Sequence, residues 1–230
     1  MSAPVFAPAD YLDLKQTDHA ALFYGVNQAW EILPALAQYL KDHLVAANFG
    51  EIIGDPIIGD EVYIGRDTVI EPGAYIKGPA WIGENCQIRH GAYLRENVVI
   101  GSGSVIGNSC EIKNSFLCNG CQVPHFNYVG DSVLGARVHL AAGVIVSNLK
   151  LNGTTIDVRA DGQMVNTGLR KFGALIGDEA EVLQSGRIDV AGKNNAAALV
   201  FHAIDNRRSV EMTAGDRIDA EAVPRQQGAR

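Results

Sequence analysis

What this chain is short of narrows its possibilities first. No run of apolar residues approaches the ~20 that cross a bilayer as a helix, so no membrane association is expected. The start, Met-Ser-Ala-Pro, has no basic stretch leading into an apolar one. No secretory signal is therefore expected, and the reading places the protein in the cytoplasm. Positive charge is scarce as well: 19 Lys and Arg against 26 Asp and Glu leave a net charge of −7. A nucleic-acid binder normally presents a basic face, so nucleic acid is not expected as a partner. Aromatic residues are 7% of a chain that is 47% hydrophobic, so the core has to be built mainly from aliphatic side chains.

Those aliphatics recur with a period of six. A large one stands at Ile58, Ile64, Ile70, Ile76, Ile82, Ile88, Leu94, Ile100, Ile106 and Ile112. Four residues after each of the first nine comes a smaller residue: Val62, Thr68, Ala74, Ala80, Cys86, Ala92, Val98, Ser104 and Cys110. A helix needs apolar spacings of three and four, and an amphipathic strand needs two. A period of six fits a parallel β-helix with three hexapeptides per coil, an all-β fold. Each residue then lies over the one 18 positions later, about 4.8 Å away.

The period divides the chain into three. Residues 1–48 show helical spacing at Trp30, Leu33, Leu36, Ala37, Leu40 and Leu44, and predict a helical cap over the exposed edge of the first coil. Residues 49–185 form the β-helix domain. Within it the beat shortens to five residues from Ile112 to Leu117 and from Val129 to Leu134, which predicts local bulges or altered corners. Residues 150–168 break the period as a projecting loop or small hairpin before Leu175-Ile-Gly-Asp178 resumes it. Residues 186–230 are read as an aperiodic tail, helical around residues 194–204 and partly disordered at the end.

The four cysteines are Cys86, Cys110, Cys118 and Cys121. Cys118-Asn-Gly-Cys121 lacks a second ligand pair at zinc spacing, so no metal is expected. Cys86 and Cys110 occupy the small inward position, as Cys121 does if Leu117 opens a side of a coil, and all three read as buried small hydrophobes.

Lys77, Arg95 and Lys113 each follow an inward aliphatic and are 18 residues apart, which predicts a column of cations on successive coils. Stacked like charges repel, and an anion such as phosphate would relieve them; the alternative is a solvated row of long side chains splaying apart. Downstream, Pro124-His125-Phe-Asn-Tyr128-Val-Gly-Asp131 straddles the shortened beat. Histidine titrates near neutrality, which suits His125 to general-base work. His19, His43 and His202 read as structural.

The stretch from Gly91 to Asn148, continued at Lys171-Phe172, resembles the acetyltransferase domain of the bifunctional N-acetylglucosamine-1-phosphate uridyltransferases/glucosamine-1-phosphate acetyltransferases. The hexapeptides are common to many acyltransferases. More specific is the ordered set Leu94-Arg95, Glu111-Ile-Lys113, the His125 segment, Ala141-Ala-Gly143, Asn148 and Lys171-Phe172. The resemblance covers residues 50–180. It implies a left-handed coil, a homotrimer with sites between subunits, and acetyl-CoA as co-substrate. It further implies that Arg95, Lys113 and Lys171 hold a sugar phosphate and that His125 is the catalytic base. Tyr128 and Asn148 would contact the sugar, and Ala142 would lie at the acetyl thioester.

Departures go with it. His139 stands where that family has a sugar-binding asparagine, and Leu149 replaces a tyrosine. Residues 150–168 are an insertion, and the family's further coils, which complete its coenzyme A site, give way to the aperiodic tail. The nucleotidyltransferase domain has no counterpart in residues 1–48. The leading expectation is acetyl-CoA-dependent N-acetylation of an amino sugar 1-phosphate. The alternatives are a non-catalytic trimeric sugar-phosphate or nucleotide-sugar binding or regulatory protein, and an acyltransferase with a different acyl donor or acceptor.

Overall fold

The computed structural model of the protein describes residues 6–160, 163–182 and 188–190. The sixfold beat becomes a parallel β-helix with three sheets. Sheet A contains Ala47–Asn48, Val62–Ile64, Ala80–Ile82, Val98–Ile100, Ser115–Leu117, Val133–Leu134 and Leu175–Ile176. Sheet B takes the second side of each coil, from Glu51–Ile52 to Ala180–Val182, and sheet C the third, from Ile57–Ile58 to Ile145–Val146. Six coils are complete and a seventh is begun. The register is the expected one: Tyr63 pairs with Trp81, and Trp81 with Val99. The inward aliphatics from Ile64 to Ile112, with the small residues between them, form one buried core.

Corners are turned by residues with left-handed backbone. Between sheets A and B these are Asp67, Asn85, Gly103, Gly120, Arg137 and Glu179; between B and C they include Gly73, Gly91, Ser109 and Gly143. Glycine, Asn and Asp tolerate that conformation best. From Ser115 on, coils are one residue shorter, with Val98 pairing Ser115 and Phe116 pairing Val133. The lost residue comes from the corner between sheets C and A, where Asn114 (φ 43°) and Asp131 (φ 50°) make the tighter turn. The beat shortens there, and not at His125.

The N-terminal segment corrects one expectation. The helix Ile32–His43 is present, but the segment lies along the outer face of sheet A rather than over the end of the first coil. Sheet A turns a column of apolar residues outward, including Val99, Phe116, Val133 and Leu175. Phe6, Leu12, Phe23, Trp30, Ile32, Leu36 and Leu40 bury against that face. Phe23 meets Phe116 edge-on at 5.1 Å, and Trp30 lies 5.5 Å from Phe172. Asp178 stitches the segment down by accepting the N–H groups of Asp13 and Ala136.

The interruption at 150–168 is a hairpin, with Asp157–Ala160 antiparallel to Gln163–Asn166. Ile156 and Val158 bury in the same cluster as Trp30 and Phe172, so the hairpin folds toward the sheet A cover. Ile188–Val190 forms a strand antiparallel to Ala180–Val182, which the aperiodic reading of the tail missed. The rest of that reading, including the helix at 194–204 and His202, lies outside the described residues. All four cysteines are buried and free. Burial pushes the Cys121 thiol up to about 12 and raises Cys118 well above its ordinary range, which leaves both poor nucleophiles. Among the described residues no helix is long and apolar enough to cross a membrane.

Candidate active site

The expected site residues, His139 excepted, fall at the two edges of sheet C. Side chains alternate along a strand, so Tyr75 and Lys77, Tyr93 and Arg95, and Glu111 and Lys113 share the outer face. Pairing of Tyr75 with Tyr93 and of Tyr93 with Glu111 stacks these pairs, and the column Lys77–Arg95–Lys113 is present as expected. Its charges, however, are balanced within the chain. Glu96 contacts both Lys77 (3.2 Å) and Arg95 (3.5 Å), Arg95 reaches Glu111 at 3.0 Å, and Lys113 lies 3.7 Å from Asp131. An external anion is therefore not required to hold the column together. Burial works to raise the Glu96 carboxyl, but hydrogen bonds and the charges of Arg95 and Lys77 hold it below the usual range.

At the shortened corner the sugar-side candidates converge. Asp131 is buried and accepts hydrogen bonds from the amides of Asn114 (2.7 Å) and Asn148. The Asn148 amide also donates to the Tyr128 hydroxyl at 3.1 Å. Burial, more than any charge, raises the Tyr128 phenol above its ordinary pKa. The next place in the cation column is Gly130. A Cβ there would stand 2.5 Å from the Tyr128 hydroxyl and 2.6 Å from the Asn148 amide, so glycine leaves the room this pair occupies. Lys171 is brought in by the backbone: Leu149 bridges to it, and the next residue, Phe172, donates to the Asn148 carbonyl at 3.0 Å.

His125 stands at the opposite edge, on the corner between sheets B and C. Pro72, His90, Asn108, His125 and Ala142 stack there on successive coils. The lower members are tied side chain to backbone, His90 Nδ1 to the Pro72 carbonyl (2.6 Å) and the Asn108 amide to the His90 carbonyl (2.9 Å). The ladder changes at His125. The Phe126 N–H takes the Asn108 carbonyl, and the imidazole is exposed with no hydrogen-bond partner among the described residues. The strand Gln122–His125 runs on past the corner over Gly107, where a Cβ would collide with the Pro124 carbonyl at 1.6 Å. Phe126 then turns with φ 53°, which costs a bulky residue about 1–2 kcal/mol.

The fixing residue here is Asn127, which no expectation singled out. It is 2% exposed, accepts the His125 N–H (3.0 Å) and donates to the Ala141 carbonyl (2.6 Å). Gly143 donates to the His125 carbonyl at 3.0 Å, so Ala142 lies directly over His125. His139 does not join either edge. It is exposed on sheet B, between Gln122 and Glu181. Also missed were Glu96, Glu111 and Asp131, although the 18-residue register already placed Glu111 beside Tyr93. No group of three His, Cys, Asp or Glu suited to a metal occurs among the described residues.

The coil region of the chain is similar to known proteins. A family profile described as the GMPPB C-terminal domain matches residues 76–169. A bifunctional sugar-1-phosphate nucleotidylyltransferase/acetyltransferase of Sulfurisphaera tokodaii is 31% identical over 164 residues, 71% of this chain and 41% of that protein. The bifunctional protein GlmU of Methanococcus maripaludis is 35% identical over 153 residues, 66% of this chain and 37% of its own. The chain thus spans about two fifths of the length of these relatives. A solved structure of PerB from Caulobacter crescentus, in complex with CoA and GDP-perosamine, is 20% identical with a TM-score of 0.27 and covers 50% of this chain and 59% of its own. That likeness is too slight to bear on the site. By its coils and these matches, the chain is a hexapeptide-repeat protein that resembles the acetyltransferase part of the bifunctional sugar-1-phosphate enzymes.

Proposed function

We propose that the protein is an acetyl-CoA-dependent N-acetyltransferase acting on an amino sugar 1-phosphate, with glucosamine 1-phosphate as the reference acceptor. One observation carries the reading: the network Lys113–Asp131–Asn148–Tyr128 and the unpartnered imidazole of His125 flank the same short strand, Tyr128–Gly130. Arg95, Lys113 and Lys171 hold the phosphate, displacing Glu96 and Glu111 from Arg95. Those pairs are only about one third exposed; near-surface ion pairs are worth about 0–1 kcal/mol, and the phosphate replaces each carboxylate with another anion, so the exchange costs little. Tyr128 and Asn148 orient the sugar, and phosphate binding remote from the reacting centre is available to align the amine.

The neutral amine attacks the thioester carbonyl while His125 accepts its proton. Backbone N–H groups near Ala142 stabilise the oxyanion, and collapse expels the coenzyme A thiolate, to which His125 returns the proton. The products are an amide and a thiol, and the mechanism involves no covalent enzyme intermediate. His139, one corner away on sheet B, serves an acceptor bound at an adjacent subunit of a homotrimer. Thiol release from acetyl-CoA, measured against a panel of amino sugars and their 1-phosphates, tests the reading. Turnover confined to phosphorylated amino sugars is expected. No release across the panel, with calorimetric binding of a sugar phosphate retained, refutes catalysis and favours a binding protein.

A further inference from the structure

The inward small position at the corner between sheets B and C runs Ala74, Ala92, Cys110, Asn127 and Val144 up the coils, all of them buried. Asn127 is the one amide in that column, and the reaction as written gives it no part. Below it, the corner is closed by backbone alone. The N–H groups of Ala74, Ala92 and Cys110 donate to the carbonyls of Glu71, Arg89 and Gly107, at 3.3, 3.1 and 3.4 Å. In the next coil the Asn127 N–H turns instead to the Cys110 sulfur at 3.5 Å, and the side chain takes over the corner. Its Oδ1 accepts the His125 N–H at 3.0 Å, and its Nδ2 donates to the Ala141 carbonyl one coil up at 2.6 Å. A buried amide costs free energy unless its groups are paired. Here both ends pair with the backbone that carries the base and the thioester position.

We propose that Asn127 is a positioning residue for acyl transfer, a strut that holds the His125 imidazole and the Ala142 N–H at a fixed spacing. This rests on the proposed reaction and adds a residue to it. The peptide between Ala141 and Ala142 is planar and trans, so its C=O and N–H point in opposite directions. Because the carbonyl faces the buried Asn127 amide, the Ala142 N–H faces out of the coil. That N–H makes no hydrogen bond among the described residues, which leaves it for the oxyanion. The bond to the carbonyl also polarises the peptide and strengthens its N–H as a donor. The backbone of His125 is gripped at both its groups, the N–H by Asn127 and the C=O by the Gly143 N–H. Base and oxyanion donor thus belong to one hydrogen-bonded unit with Asn127 at its centre. Alanine or cysteine, which fill the position in the coils below, would supply neither arm.

The test measures kcat and KM by thiol release for Asn127→Ala and Asn127→Asp, with Ser104→Ala as the comparison. Asn127→Asp keeps the shape and the acceptor for His125 but, when ionised, offers Ala141 no donor, and it decides the case if Asn127→Ala does not fold. Ser104 is another buried inward side chain, on the corner between sheets A and B, where it accepts the Cys121 N–H at 3.1 Å. At about pH 9, where the introduced carboxyl is ionised, kcat should fall about 10–100-fold in both Asn127 variants, a decade less than the loss of an oxyanion donor outright. Acceptor KM should change less than about threefold, and Ser104→Ala should keep kcat within about twofold of the parent. Acetyl-dithio-CoA, whose thiocarbonyl sulfur is a poor acceptor, reads the oxyanion contact itself: the parent's preference for acetyl-CoA over it should shrink about tenfold in either Asn127 variant. A kcat close to the parent's in both variants, an effect confined to KM, an unchanged preference between the two donors, or an equal loss in Ser104→Ala overturns the inference and leaves the proposed reaction standing. No thiol release by the parent with any acceptor removes the proposed reaction and, with it, the role of Asn127.

Discussion

Asp131 is the residue on which both the fold of the shortened corner and the sugar side of the site depend. Its side chain is 5% exposed and that of Lys113 13% exposed, at 3.7 Å. At an effective dielectric of ~20, two unit charges at this separation attract by about 4 kcal/mol. Most of that is offset by the desolvation of both groups, so the pair as a whole contributes little net stability. Removing one partner is different, because it strands the other charge. Asp131→Asn keeps the shape and one acceptor for Asn148 but leaves the Lys113 ammonium without its countercharge, and should cost about 3 kcal/mol. Lys113→Met should cost a comparable amount through the unpaired carboxylate. The double variant should be about 1–3 kcal/mol less destabilised than the sum of the two. Urea unfolding followed by far-UV circular dichroism, with an unchanged m value, supplies all three numbers. A coupling within about 0.5 kcal/mol of zero would show that the two charges do not act as a pair, and the account of the tight corner would fail with it.

Two further outcomes test the cover on sheet A. Phe116 is fully buried between the sheet and Phe23, so Phe116→Ala should destabilise the protein by about 3–5 kcal/mol in the same unfolding assay; a loss below about 1 kcal/mol would mean the N-terminal segment is not part of the cooperative unit. His19 is 6% exposed, with Nδ1 2.9 Å from the Tyr39 hydroxyl and Nε2 unpartnered; burial, joined by the charge of His43 and opposed by Asp18, holds its pKa below the ordinary value. The unfolded chain then binds the proton at pH values where the folded one does not, so stability is full above about pH 6.5 and falls as the pH drops below it. The urea midpoint should decline from pH 7.5 to 5.5 more steeply in the parent than in His19→Gln, and equal slopes would clear His19 of the effect.

The register of the coils was legible because the inward position is almost invariably Ile, and a chemically uniform column leaves one way to stack the repeats. The same register carried the position of the cation column. Its neutralisation was not read, since Glu96 and Asp131 lie in corners, where the reach of a side chain depends on backbone turns that the beat does not encode. The N-terminal helix was legible from its spacing, but its docking side was not. The signal existed in the outward residues Tyr63, Trp81, Val99, Phe116 and Val133, a column at steps of 18 and 17 residues that marks sheet A as a face needing a cover. His125 stood out in sequence by its neighbours. What sets it apart physically, a break in the corner ladder of His90 and Asn108, emerged only with the hydrogen bonds in place.

The most direct test of the account is the turnover number of His125→Ala with acetyl-CoA and whichever phosphorylated amino sugar the parent accepts. Among the described residues the His125 ring makes no hydrogen bond, only a tilted contact with Phe126 at 6.5 Å, so the variant should fold as the parent does, and its kcat should fall by about 10²–10⁴-fold with little change in acceptor binding. A kcat within a few fold of the parent would contradict the assignment of His125 as the base and, with it, the placing of the reaction at this edge of sheet C.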